Sequence, residues 1–108
     1  MLSTLEKELV AYAESFYTDD EQLNRNLRLK LAHTFRVRNE TTALAAAEAF
    51  PPEQARLAVR AALLHDLSRF EQFSRFRSFN DAESFDHGDR SAELAVSRPC
   101  LDDLTQPE

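Results

Sequence analysis

From Leu57 to Leu67 the only polar residues are Arg60, His65 and Asp66. A segment this apolar is expected to form the central, most buried helix of whatever the chain builds. Its last turn then delivers an imidazole and a carboxylate side by side, two groups that are expensive to bury unless something pairs with them. The rest of the chain has to supply that partner.

The remaining sequence limits how this can be done. With 108 residues and 43% hydrophobic content, the chain can bury one core, so a single domain over residues 1–108 is expected. One glycine and four prolines, set against abundant Ala, Leu, Glu and Arg, predict an all-α protein, and no hairpin signal is visible. The formal net charge of −6 argues against DNA or an anionic membrane surface as partner, because such binding rests on neutralising phosphates. A small anionic ligand stays compatible with it if a few cations converge locally. No apolar run approaches the length of a membrane span. Cys100 alone cannot form an internal disulfide, and Met1 to Glu6 do not read as a signal peptide, so a cytoplasmic location is expected.

Leu2, Leu5, Leu9, Ala13 and Phe16 recur at spacings of three and four and predict the first helix. Thr18-Asp19-Asp20-Glu21 supplies turn and N-cap chemistry for a second helix over residues 21–49. There Leu23, Leu27, Leu31 and Phe35 form one stripe, and His33, Val37 and Leu44 a second. A helix apolar on two sides sits between neighbours, which turns His33 inward, either as a ligand or as a core histidine satisfied by a hydrogen bond. Pro51-Pro52 ends this helix, and Pro52 and Glu53 suit the first turn of the third.

Beyond the apolar helix, Phe70, Phe73 and Phe76 are spaced to anchor a short helix, and Ser78 to Asp81 reads as a turn. Phenylalanines interleaved with Arg69, Arg75 and Arg77 can bind nucleic acid. At helical spacing they are better read as anchors that pack a loop onto the core. Asp86 as N-cap and Asp89 three residues on open a last helix through Ala92, Leu94, Ala95 and Val96, closed by Pro99. His87 falls in its first turn, facing the site or idle in solvent. Thr105-Gln106-Pro107-Glu108 has the form of a further helix start, so the chain is expected to be a piece of a longer one. Apolar surface uncovered by such a truncation would favour a homo-oligomer.

Neighbouring residues of a helix project about 100° apart, so His65 and Asp66 reach one site only near the helix end, where they lie. Imidazole nitrogen with carboxylate oxygen suits a divalent ion such as Mn, Fe, Co, Ni or Zn. An inward His33 would be a third ligand, and His87 a fourth or a substrate contact. Such an open donor set is that of a catalytic site, with a metal-activated water as nucleophile.

His33 followed by Ala61-Ala62-Leu63-Leu64-His65-Asp66-Leu67-Ser68-Arg69-Phe70, with Phe79-Asn80-Asp81-Ala82 and Asp86-His87-Gly88-Asp89 downstream, resembles the HD-domain superfamily of metal-dependent phosphohydrolases, in particular a small bacterial branch. The resemblance covers roughly residues 23–98. It implies a bundle of about five helices with a loop or short helix after the His-Asp helix, around a divalent ion (Mg included). The implied activity is hydrolysis of a phosphate mono- or diester, often of a nucleotide. Carried over, His33, His65 and Asp66 are metal ligands, and His87 is a second-metal or substrate contact. Arg69 is a phosphate clamp, with a surface ion pair to Glu71 or Asp66 as its plainer role. Ser68 replaces a glycine common in relatives.

The chain lacks the Glu-Asp after the His-Asp pair that marks alarmone hydrolases, which disfavours that subclass. It also lacks a matching late aspartate: Asp81, Asp86 and Asp89 lie too near the loop, and Asp102 and Asp103 match no motif. The competing expectation is therefore an inactive module of this type that binds a nucleotide or a partner protein, or is simply structural.

Overall fold

A computed structural model describes residues 2–97. Pro99, Cys100, Asp102, Asp103 and the Thr105 helix start lie outside the described residues. Within them the protein is all-helical, with α1 (Thr4–Glu14), α2 (Glu21–Ala47), α3 (Pro52–Leu64), α4 (Arg69–Phe76), a one-turn 3-10 helix (Asp81–Glu83) and α5 (His87–Ser97).

The starts of the helices follow from local chemistry. At α1 the Ser3 hydroxyl accepts the Glu6 N–H, and the Glu6 carboxylate accepts the Ser3 N–H. Asp20 caps α2 by accepting the N–H groups of Gln22 and Leu23. Pro52 opens α3 at a position where its missing N–H costs nothing. The Asp86 carboxylate accepts the Asp89 N–H at the start of α5, as the sequence predicts.

α2 ends at Ala47, two residues before the predicted boundary. Ala49 adopts a left-handed conformation (φ 55°) while the Phe50 N–H reaches back to the Ala45 carbonyl. Glycine usually takes this place, because a Cβ there costs about 1 kcal/mol or more.

The core gathers Leu5, Leu9, Tyr12 and Ala13 of α1, Leu23 and Leu27 of α2, Leu63 of α3, Leu67, and Phe70 of α4. Tyr12 meets Phe16 and Phe70 edge-on. Phe73 stacks on Phe79 with ring centroids 4.6 Å apart, and Phe76 meets Phe85 edge-on. The phenylalanines of this stretch thus pin the loop that follows α4, the anchoring role expected of them.

Two expectations are corrected. α3 is not the most buried helix. Leu57 and Ala61 face outward while Arg60 is buried, because α3 packs mainly along one face of α2 and covers only its inner side. Leu44, assigned to an inward stripe of α2, is 59% exposed, since α3 faces the Ala45 side of that end of the helix and leaves the Leu44 side in solvent.

Candidate metal centre

The chain turns sharply between α3 and α4. His65 is the C-cap of α3, and the N–H groups of Leu67 and Arg69 return to the carbonyls of Leu64 and Asp66. This turn aims the Asp66 carboxylate into the molecule, where the residue is only 6% exposed. A carboxylate so placed needs counter-charges or hydrogen bonds, and five nitrogen-bearing side chains converge on it.

Oδ2 of Asp66 lies 3.2 Å from His65 Nε2, 3.7 Å from His33 Nε2 and 3.9 Å from Lys30 Nζ. Oδ1 lies 3.3 Å from His87 Nε2 and 3.7 Å from Arg69 Nε. Every site residue expected from the sequence therefore meets at Asp66. His33 comes from the middle of α2, turned toward the α3 end because it shares a helix face with the partly buried Lys30, one turn earlier.

His65 Nδ1 stands 2.6 Å from the Ala62 carbonyl oxygen. A carbonyl can only accept, so Nδ1 carries a proton, and in the neutral ring the Nε2 lone pair faces Asp66. Donor atoms of His33, His65 and Asp66 all lie within 4.8 Å of one another. Two ligands each about 2.1 Å from one ion are roughly 3 to 4 Å apart, and both His–Asp separations fall in that range. The set of two imidazoles and one carboxylate fits a borderline divalent ion. The backbone bond to His65 is the kind of outer support that fixes a ligating ring.

Burial, followed by the charge of Lys30, pushes the His33 pKa below its ordinary value against the pull of Asp66, which favours the neutral, ligating form. Burial likewise lowers the Lys30 pKa, with Asp66 opposing and Arg69 adding to the effect.

The sequence reading did not include Lys30, Gln72 or Asp81 in the site. Lys30 also lies over the Phe79 ring, 4.9 Å from its centre. Asp81 accepts from His87 Nδ1 at 2.8 Å and from Arg69 Nη1 at 3.0 Å. The His87 bond, followed by that from the Gln72 amide, holds the Asp81 carboxyl well below the usual carboxylate range. Gln72 is fully buried; it donates to Asp81 and Ser84 and accepts from Arg69 Nη1 at 2.7 Å. The spacing of Lys30 and His33 by three was a signal for the first. Asp81 falls in the 79–82 stretch but is set aside there as too near the loop for a late ligand, and nothing local marks Gln72.

Arg69 is not a surface partner of Glu71, which instead pairs with Arg75 and Arg90. Its guanidinium points inward and also donates to the Phe79 carbonyl at 2.7 Å. Ser68 has a definite role. Its hydroxyl donates to the His87 carbonyl at 2.7 Å, and its N–H donates to Ser91 Oγ at 2.9 Å, which fastens the start of α5 beside the site.

Comparison with models of known families, with curated proteins and with solved structures finds no match to this chain. Among the described residues no helix is long and apolar enough to cross a membrane.

Proposed function

We propose that this protein is a metal-dependent phosphohydrolase of the HD-domain type, acting on a phosphate mono- or diester such as a nucleotide. The observation that carries this reading is the convergence of His33, His65 and Asp66 within 4.8 Å, with Lys30 and Arg69 beside the same carboxylate. Lys30 and Arg69 balance Asp66 and Asp81, so a divalent ion would leave the site with a surplus of two positive charges, matched to a phosphate dianion.

His33, His65 and Asp66 would hold the ion, of the Mn, Fe, Co, Ni, Zn or Mg group. When bound, it supplies Lewis-acid polarisation of a phosphoryl oxygen and activation of water. Lys30 and Arg69 orient the phosphate by charge. His87, its Nδ1–H given to Asp81, presents Nε2 to the site as a proton acceptor or substrate contact.

The test is elemental analysis of purified protein together with turnover of a panel of phosphomonoesters and nucleotides. Wild type is expected to carry stoichiometric metal and to hydrolyse at least one class, and His65→Ala to lose both. Metal retained at full stoichiometry in both His65→Ala and Asp66→Ala overturns the assignment. Nucleotide binding without turnover would favour the non-enzymatic alternative.

A further inference from the structure

The two oxygens of Asp66 look into chemically similar surroundings. On the Oδ2 side stand the Nε2 atoms of His65 and His33, and the other nitrogen of His65 is tied to the Ala62 carbonyl. On the Oδ1 side stands Nε2 of His87, 3.3 Å away, its other nitrogen tied to Asp81. Each side offers an imidazole nitrogen and a carboxylate oxygen at the spacing a single cation bridges, and among the described residues the Oδ2 side brings three such groups, of His33, His65 and Asp66, within 4.8 Å of one another.

The sides differ in what already fills them. Lys30 approaches Oδ2 no closer than 3.9 Å, beyond hydrogen-bond reach. The other side holds the guanidinium of Arg69. Its Nη2 is 3.3 Å from His87 Nε2, its Nη1 is 3.0 Å from Asp81 Oδ1, and its buried Nε, which has no hydrogen-bond acceptor, is 3.7 Å from Asp66 Oδ1. A guanidinium only donates, so the His87 nitrogen that receives Nη2 carries a lone pair. Gln72 and the Phe79 carbonyl clamp Nη1 from behind, each at 2.7 Å. This arginine is fixed beside the two acceptors, Asp66 Oδ1 and His87 Nε2, that would otherwise share an ion, with Asp81 holding its Nη1.

We propose that Arg69 is a built-in replacement for a second metal ion, so that the centre takes one divalent ion and not two. The inference rests on the metal-site reading above. It predicts that neutralising position 69 opens a second position made by Asp66 Oδ1 and His87 Nε2.

The experiment titrates the full chain with Mn²⁺, counting bound ions by calorimetry and elemental analysis. Electron paramagnetic resonance reports whether ions form a coupled pair, as expected for two ions about 3.5–4 Å apart. Wild type and Arg69→Lys should bind one ion with an uncoupled signal. Arg69→Met, which keeps the apolar stem, should bind two with a coupled signal and return to one when His87→Ala is added. Arg69→Gln replaces it if helicity is lost. Two ions in wild type overturn the inference, as does a single ion in a folded neutral variant. No ion in wild type overturns the metal-site reading itself, and this inference with it.

Discussion

The first half of α2 buries Leu23 and Leu27 against α1 and Phe70, whereas its second half leaves Leu44 in solvent and faces α3 across an open apolar cleft of about 370 Å³. Thr42, Ala45, Ala46, Phe50, Ala55, Arg56 and Val59 line that cleft. Large side chains interdigitate at one end; at the other a run of alanines meets Ala55 and leaves space. Lys30 and His33 sit on the side of the well-packed half. The geometry around Asp66 thus rests on the closely packed part of α2.

The largest effect is expected at the junction of α2 with the α3–α4 turn. Asp66→Ala removes the carboxylate on which Lys30, His33, His65, Arg69 and His87 converge, and on the proposed function it should weaken metal binding at least about a thousandfold, about 4 kcal/mol. Calorimetric titration measures this, and far-ultraviolet circular dichroism should show most of the helicity retained. If metal affinity survives, the site is not centred on Asp66.

Next in size is Leu27→Ala, which opens a cavity where the packed half is tightest and should cost about 3 kcal/mol in chemical denaturation. Because His33 is carried on the same helix, metal affinity should fall as well. Unchanged affinity in the folded variant would separate the site from the core that is taken to support it.

A smaller effect, at the contact of α1 with α2, comes from acid. Burial pushes the Glu6 carboxyl up, but the Ser3 N–H, the Arg38 guanidinium and the Ser3 hydroxyl outweigh it, so its pKa lies below the ordinary 4.5. A carboxyl with a depressed folded-state pKa contributes stability that is fully present above the ordinary value and is lost as pH falls through the folded one. Stability should therefore decline below about pH 4.5. Arg38→Met should flatten that decline and cost about 1.5 kcal/mol at neutral pH. Denaturation midpoints measured across the acid range test both statements; an equally steep decline in the variant would assign the acid sensitivity elsewhere.

The same contrast explains what could be read from the sequence. Large apolar residues at regular spacing mark the packed half, and Leu5, Leu9, Leu23 and Leu27 are where periodicity puts them. The open half carried misleading signals. Leu44 continues a stripe that has no partner, and the end of α2 uses Ala49 in a conformation usually marked by glycine. In the site, His65 and Asp66 are legible as polar chemistry on an apolar helix and His33 from its stripe, whereas His87 is read from its place in the first turn of the last helix and Arg69 from the resemblance alone. Asp81 and Gln72 are not legible in these ways. One sits in a loop among other acids and the other on an ordinary polar position of α4, and only the fold of the loop brings them to Arg69.

The smallest expected effect tests the open end directly. Leu44 is 59% exposed, so Leu44→Lys removes little apolar surface from a buried setting and adds a well-solvated charge. Its stability should stay within about 0.5 kcal/mol of wild type, with metal affinity unchanged. Sedimentation of both proteins over a range of concentrations extends the test to association. A lysine here would be costly only if Leu44 were covered by a second copy, because a charge desolvated without a partner carries a penalty of several kcal/mol. A large, concentration-dependent loss would make the open end an interface, and the contrast between the halves of α2 would then be one between an internal and an intermolecular surface.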